Sequence, residues 1–290
     1  MISIIIPTYN NLEYLKLCLK SIKKNSAFDH DIILHINEGI DGTLDFAKKN
    51  NLKFSYSKIN TGICEGCNNA AKKSKFDLIL YAHDDMYFCP EWDTILLDEM
   101  NSLNTKMFYL SGTMINGDPK LNGHINFYAG ENIDNFDEEK LLNNYRRLNN
   151  YNFQGSTWAP HLIHRDIWNK VGGFSEEFYP GTGSDPDLNM KLWKIGVRIF
   201  KGLSNSKVYH FGSVVTRQKE KKYIGKTDSG SKGNKIFLKK WGITIKFFKR
   251  YYLRSDTKFD GILEEPDKSI TYFFDLIKVK LIFFYNSIFR

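Results

Sequence analysis

The sequence predicts an α/β fold with a mostly parallel central sheet and helices on both of its faces. Stretches typical of strands and of helices alternate through the first hundred of the 290 residues, which is the pattern of a parallel, helix-covered sheet. The first stretch, "ISIII" at 2–6, is a continuous β-branched run, typical of a strand buried on both faces. With 42% hydrophobic residues, the chain fits one large domain or one domain plus an extension.

Each predicted element has its own signal. The first helix places apolar residues at a helical spacing with lysines on its other side, and turns rich in Gly, Asp or Asn separate the later elements. After a less regular middle, a helix begins near Asp185, with acids in a first turn that the helix dipole favours, and ends at Gly196. A short or edge strand then carries His210. The early strands are predicted at 2–6, 31–37, 53–59 and 76–82, and the early helices at 12–25, 44–51 and about 62–75.

The cysteines and the hydropathy pattern favour a chain in a reducing compartment. Cys64 and Cys67 form a single CxxC, and a zinc site would need two more ligands at a suitable spacing, so small buried thiols are the favoured interpretation. This usage suits the cytoplasm, which is the expected location. No secretory signal follows Met1, and no run of about 18 apolar residues occurs, so no transmembrane helix is expected.

Four predicted loops collect at the carboxyl edge of the sheet, where such sheets bind their ligands. All are polar, glycine-bearing or acidic: "PTYNN", "NEGIDGT", "NTGICEG" and "HDDMYF". In the last loop Asp84 and Asp85 follow an apolar strand, and a divalent cation would remove the repulsion between them. Helix capping or exposure to water is the alternative interpretation. His83 alone is more typical of a satisfied polar residue than of a ligand.

Three further residues are ambiguous on their own. Asp185 and Asp187 open the helix in "GSDPDLNMKLW", where one of them is suited to act as a general base, or both simply cap the helix. His210 in "VYHFG" is either a third metal ligand or a buried histidine of an edge strand.

The joint order of these motifs resembles the family 2 glycosyltransferases with a GT-A fold. The resemblance covers about residues 1–215 and consists of "SIIIPTYNNLEYLKLCLKSI", "NEGIDGT", "NTGICEGCNNAA", a D-x-D-like "HDD", "VGGFSEEF", an acidic pair and a histidine. It implies a Rossmann-like catalytic domain at 1–215. About 1–100 would form the donor half and 101–215 the acceptor half, with 216–290 as a basic, aromatic-rich helical extension.

The resemblance also implies roles for single residues. The D-x-D element would bind ribose and a divalent metal, Mn²⁺ or Mg²⁺, with Asp85 in its last position, His83 in place of its first acid, and Asp84 placed to compensate. His210 would complete the metal shell. Asp185 would be the catalytic base, supported by Asp187. The nucleotide would contact Pro7, Tyr9, Glu38, Asp41 and Asn60, and Arg217 would lie over the diphosphate.

The implied activity is transfer of a sugar, with inversion, from a nucleoside-diphosphate sugar to a hydroxyl of a glycan, lipid-linked or protein-linked acceptor. Two alternatives remain open at this point. A nucleotidyltransferase also binds nucleotide and metal beside a parallel sheet, but "PTYNN" lacks the Gly-rich phosphate loop expected of one. A non-catalytic glycan- or nucleic-acid-binding module would have no need of Asp85, Asp185 and His210 together.

The net charge of +8 is concentrated near the C-terminus. From Val215 to Arg254 the chain has thirteen basic residues and two acids, mixed with aromatics. Such a segment can bind single-stranded nucleic acid, lie on an anionic membrane surface, or pack its aromatics inward. Nucleic acid is not an expected partner, and a peripheral contact with the inner face of a membrane is our hypothesis. A later helix carries an apolar stripe suited to packing within the protein, to a membrane or to a partner: Ile270, Phe274, Ile277, Leu281, Phe284 and Ile288.

Overall fold

The computed structural model describes residues 1–116, 125–148, 151–212, 229–255 and 257–288. The strands are β1 (Ser3–Tyr9), β2 (Asp31–Asn37), β3 (Lys53–Ser57), β4 (Leu78–Tyr81), β5 (Met86–Phe88), β6 (Phe108–Asn116), β7 (Ile125–Asn126), β8 (Phe153–Gln154), β9 (His161–His164) and β10 (Ile199–His210). The helices are α1 (Leu12–Asn25), α2 (Thr43–Lys49), α3 (Gly62–Ala71), α4 (Trp92–Ser102), α5 (Glu138–Asn144), α6 (Arg165–Val171), α7 (Ser184–Lys194), α8 (Ser229–Trp241), α9 (Ile245–Tyr251) and α10 (Ile270–Ile288).

The strands form one mixed sheet in the order β3-β2-β1-β4-β9-β6-β10-β5, with β7 beside β6 and β8 beside β10. Strands β1 to β4 run parallel to one another, and β10 runs parallel to β6. Strand β9 lies between β4 and β6 and is antiparallel to both. The predicted α/β fold with a mostly parallel sheet flanked by helices is therefore confirmed.

Strand β10 differs from its prediction as a short or edge strand around His210. It begins at Ile199, extends over 12 residues and lies between β6 and β5. The polar stretch "SNSK" in the middle of β10 is not typical of a buried strand. In the structure, however, Lys207 is buried and the Ser206 hydroxyl donates to the Trp92 carbonyl. The pairing shifts register between Gly202 and Lys207, so this polar stretch is where the ladder is irregular.

The hydrophobic core is built around the first strand and continues into the C-terminal helices. Ile4, Ile5 and Ile6 are fully buried, as expected for a β-branched strand covered on both faces. Phe237 of α8 and Phe248 of α9 are also fully buried in the same cluster. All four cysteines are buried and free, in agreement with the prediction of small buried thiols. Within the described ranges, no helix is long and apolar enough to cross a membrane.

Candidate active site

A cleft of about 300 Å³ opens where the carboxyl ends of β1, β2 and β4 meet the beginning of α7. This is the edge at which α/β sheets bind ligands. The structure brings together here seven of the residues singled out from the sequence. These lining residues are Pro7, Tyr9, Asn60, His83, Asp84, Asp85 and Asp185. The opposite wall comes from the loop Pro180–Thr182, which the sequence did not single out.

The pairing of β5 with β10 places an acid beside a histidine. The first residue of β5, Met86, lies opposite His210, the last residue of β10. The Phe211 backbone N–H also donates to the Asp85 carbonyl at 3.2 Å. Asp85 Oδ1 consequently lies 3.2 Å from His210 Nε2, and His83 Nδ1 lies 3.3 Å from the same nitrogen.

These three side chains form a group that could hold a metal ion. His83, Asp85 and His210 each offer one ligand atom, and the three atoms lie within 4.8 Å of one another. Burial and, to a smaller extent, the nearby His210 ring lower the pKa of His83 to about 4, although Asp85 opposes this shift. The His83 ring is therefore neutral at pH 7 and its nitrogen lone pair is available. Two imidazole nitrogens and a carboxylate oxygen are a donor set suited to a divalent transition metal.

Asp84 lies between the two metal-ligand candidates of this loop and is partly buried. Burial raises the pKa of Asp84 to about 7, and repulsion from Asp85 contributes to the rise, whereas the Thr8 and Asn11 side chains counter it. Two adjacent carboxylates are thus held where one of them keeps its proton near neutral pH. A bound cation would reverse this effect, because positive charge favours the ionised form.

Asp185 faces the cleft from the first turn of α7. The helix begins after Gly183, which has a left-handed backbone (φ 87°), and the Ser184 hydroxyl donates to the Gly181 carbonyl at 2.6 Å. Asp185 Oδ1 is buried and has no hydrogen-bond partner in the described part of the chain. Burial raises the pKa of Asp185 to about 7, although its own backbone N–H lowers it. An unpaired carboxylate with such a pKa is suited to accept a proton near neutral pH.

His161 is a neighbour of Asp185 that the sequence analysis missed. It is fully buried on β9, and its Nδ1 lies 4.0 Å from Asp185 Oδ1 and 3.0 Å from the Tyr109 hydroxyl. Burial lowers the pKa of His161 to about 3, so it adds no positive charge beside Asp185. The available signal was a histidine at the start of the strand "HLIH", between a proline and two apolar residues.

Asp187 lies outside the cleft, although it is only two residues from Asp185. Its carboxylate is fully buried and accepts from the Ser175 hydroxyl at 2.6 Å and from Trp241 Nε1 at 2.8 Å. Lys240 Nζ approaches the same carboxylate at 3.0 Å. Because Lys240 and Trp241 belong to α8, these contacts fasten the C-terminal helices to the helix that carries Asp185.

Two more predicted residues, Glu38 and Asp41, do not line the cleft. Glu38 accepts from Asn10 Nδ2 at 3.1 Å, and Asp41 accepts from the Leu12 backbone N–H at 2.8 Å. Both bonds tie the turn after β2 to the segment before α1, and neither residue lines the cleft. Arg217 lies outside the described residues.

Comparison with known proteins agrees with this geometry. A model of glycosyl transferase family 2 matches residues 3–168, which is more than half of the chain. An uncharacterised protein of Sinorhizobium fredii, y4gI, is 25% identical in an alignment of 227 residues that covers 68% of this chain and 23% of that protein. The chain therefore spans less than a quarter of the length of this curated relative.

Solved glycosyltransferase structures have a similar fold. The TarS fragment 1–349 of S. aureus, in complex with UDP-GlcNAc, has a TM-score of 0.53 and 16% identity, covering 98% of this chain and 80% of that chain. GalNAc-T7 with UDP, GalNAc and Mn²⁺ has a TM-score of 0.55 and 15% identity, covering 72% of this chain and 43% of that chain. The motif order, the sheet and the family match lead to one conclusion: this chain belongs to glycosyl transferase family 2 and has a GT-A fold.

Proposed function

We propose that this enzyme transfers a sugar from a nucleoside-diphosphate sugar to an acceptor hydroxyl, with Asp185 as the general base. The observation that carries the proposal is that Asp185, His83 and Asp85 line one cleft, with His210 directly behind Asp85. Within the described part of the chain, Asp185 Oδ1 has no hydrogen-bond partner. Neighbouring structures contain UDP or UDP-GlcNAc, so a uridine diphosphate sugar is the first donor to test.

The donor set favours Mn²⁺ over Mg²⁺ as the cofactor. Mg²⁺ prefers six oxygen ligands, whereas this group offers two imidazole nitrogens and one carboxylate oxygen. A bound divalent cation would supply positive charge for the diphosphate as it leaves. GalNAc-T7 was solved with Mn²⁺, which is consistent with this choice.

The chemical step needs a proton acceptor beside the incoming hydroxyl. In the proposed reaction, Asp185 Oδ1 takes the proton of the acceptor hydroxyl, and that oxygen forms a bond to the anomeric carbon. The bond between the anomeric carbon and the diphosphate oxygen breaks, and the nucleoside diphosphate leaves with inversion at the sugar. The pKa of Asp185, about 7, balances the ionised fraction at neutral pH against the basicity of the carboxylate.

We assign different walls of the cleft to the donor and to the acceptor. Pro7 and Tyr9 lie at the end of β1 and Asn60 follows β3, and we assign them to the nucleotide. The acceptor, a hydroxyl of a glycan or of a lipid-linked or protein-linked molecule, would enter beside Asp185 and the loop Pro180–Thr182. On this assignment 1–215 is the catalytic domain, and Asp187 supports Asp185 by fixing α7 to α8 rather than by touching substrate.

A thermal-shift titration tests donor and metal binding together. UDP at a hundredfold excess over its Kd, with Mn²⁺, should raise the Tm by roughly 5 °C or more, and UDP with a chelator should raise it much less. Asp85→Asn should remove the Mn²⁺-dependent part of this shift. Asp166→Asn, which alters an exposed carboxylate on α6, is the matched control and should leave the shift unchanged. No shift with UDP or any other nucleoside diphosphate, with or without Mn²⁺, would contradict the proposal.

A further inference from the structure

The last helix, α10, has two apolar faces, and only one of them packs against the protein. Tyr272 and Val279 are buried against the preceding helices, and Leu276 and Phe283 pack beside them. The opposite face carries the first five residues of the stripe predicted from the sequence, and these point outward. The exposed fractions of its side chains are 76% for Ile270, 62% for Phe274, 57% for Ile277, 64% for Leu281 and 64% for Phe284.

Such a continuous row of exposed large apolar side chains marks an interaction surface, because single exposed residues are common but long apolar patches are not. The row extends along four turns of the helix from Ile270 to Phe284. Phe273 and Tyr285, exposed by 49% and 60%, widen it on either side. We call the face formed by these seven residues the apolar face of α10.

The surroundings of the apolar face are positively charged. Helical geometry places Lys278 on one side of it and Lys280 on the other. A groove of about 690 Å³ between α8, α9 and α10 is lined by Lys235, Lys246, Arg250 and Lys278. Asp275, the one acid among its described lining residues, forms ion pairs with Arg250 and Lys278, which leaves the groove with a net positive charge. Helices α8 and α9 together carry seven lysines and arginines and no acid.

The apolar face and the positive charge around it together favour one kind of binding partner over the others. A second copy docked face to face would bring Lys278 and Lys280 of both chains together, and like charges in close contact oppose such pairing. A transmembrane position is also excluded for α10, because no helix of the described part is long and apolar enough to cross a bilayer. An anionic bilayer surface matches both features, since it takes apolar side chains into its acyl boundary and cations at its phosphates.

We propose that α10 lies in the plane of an anionic lipid surface, with its apolar face inserted and the groove between α8, α9 and α10 receiving lipid phosphates. The same basic helices also border the active-site cleft: Gly233 of α8 packs against the Thr182 carbonyl in the cleft wall. Docking through α10 therefore holds the catalytic cleft close to the lipid headgroups.

Vesicle flotation with the full chain tests the proposal without donor or acceptor, so its outcome is separate from that of the proposed reaction. The chain should float with vesicles of equal parts phosphatidylglycerol and phosphatidylcholine and should remain unbound with phosphatidylcholine alone. The variant Phe274→Glu/Leu281→Glu should lose about 100-fold or more in partitioning, because two large apolar side chains no longer insert. The variant Lys246→Ala/Lys278→Ala should lose about fivefold per charge removed.

The matched control is Phe28→Glu, which changes an exposed aromatic in the loop between α1 and β2. It should float like the unaltered chain. Thermal unfolding checks that all variants are folded, and size-exclusion chromatography reports any self-association. Equal flotation of the unaltered chain and the Phe274→Glu/Leu281→Glu variant would overturn the proposal. So would binding to phosphatidylcholine alone at the same strength, or a dimer that Phe274→Glu/Leu281→Glu converts to monomer without any vesicle binding.

Discussion

Asp185 and Asp187 lie on the same turn of α7, but their carboxylates have different surroundings. Asp185 opens into the cleft, has an oxygen without a hydrogen-bond partner in the described part of the chain, and has a pKa raised to about 7. Asp187 points toward α8, where a hydroxyl, an indole N–H and an ammonium group satisfy it. The sequence alone shows both residues at the start of a helix. Their partners in the structure distinguish Asp185, a carboxylate suited to react, from Asp187, a carboxylate that links two helices.

The largest expected effect separates the two residues by turnover. Asp185→Asn should lower kcat by about 10²- to 10⁴-fold, because the amide cannot accept the hydroxyl proton, while donor affinity stays unchanged. Turnover with a nucleotide-sugar donor and binding of UDP provide the two readouts. Unchanged turnover in this variant would remove Asp185 as the base and end the contrast with Asp187.

The next effect is on stability and involves the other carboxylate. Asp187→Ala should lower the free energy of unfolding by about 2–4 kcal/mol, because Trp241 Nε1 and the partly buried Lys240 lose their partner. Urea denaturation measures this change. Asp166→Ala, which removes an exposed carboxylate from a surface pair with Lys106, should change stability by less than about 0.5 kcal/mol. Equal losses of unfolding free energy in both variants would show that Asp187 does not stabilise the packing of α7 against α8.

A third experiment sharpens the comparison by moving to the metal group. His210→Ala should weaken Mn²⁺ binding by at least the roughly 10- to 100-fold that loss of even a supporting residue costs at metal sites. Isothermal titration with Mn²⁺ in the presence of UDP measures the affinity. Asp187→Ala, which lies outside the cleft, should bind Mn²⁺ as the unaltered chain does, and a parallel loss there would contradict the separation of the two regions.

The pH dependence of turnover offers a smaller but more specific distinction. The base must be ionised, and its pKa is about 7, so kcat/KM should fall by about tenfold per pH unit below pH 7. Saturating Mn²⁺ keeps titration of the metal group out of the profile. Asp187→Asn should retain this profile, and Asp185→Asn should have lost it. A profile without change between pH 5 and pH 7 would contradict the assignment of Asp185.

The last prediction concerns stability as a function of pH. The pKa of Asp185 is higher in the folded chain than its ordinary value of 3.8, so the folded state binds the proton more tightly. Stability therefore falls as pH rises from about 4 to about 7, and Asp185→Asn should reduce that fall by about 3 kcal/mol. Urea midpoints across this range measure it. An identical fall in both proteins would argue against a buried Asp185.

The sequence predicted the parallel half of the sheet well, because strands such as "ISIII" are buried on both faces and carry an unambiguous pattern. The full length of strand β10 was not predicted because Ser204, Ser206 and Lys207 are polar residues that are nevertheless buried. Their burial depends on partners distant in the chain. Their partners, such as the Trp92 carbonyl, are defined only after the chain has folded.

In the candidate site, too, residues near the ends of the parallel strands were predicted, whereas contacts between distant strands were not. The loops predicted after the first, third and fourth strands could be placed at one edge from topology, which pointed to Asp85. Pro7 and Asn60 were added by the family resemblance. The contact of His83 with His210 depends on an antiparallel pairing between β5 and β10 that no local pattern encodes. For the same reason His161, which approaches Asp185 from a third strand, could not be recognised from its neighbours in sequence.

The close contact at Gly233 has an evolutionary consequence. A β-carbon at this position would come within 2.1 Å of the Thr182 carbonyl oxygen, which is backbone and cannot swing aside. On the proposed lipid surface, an exposed lysine near Gly233 such as Lys235 could be exchanged for arginine as lineages diverge, since lipid phosphates attract its charge. The glycine cannot drift in that way while α8 stays seated, so descendants that keep this helix are expected to keep a hydrogen at residue 233.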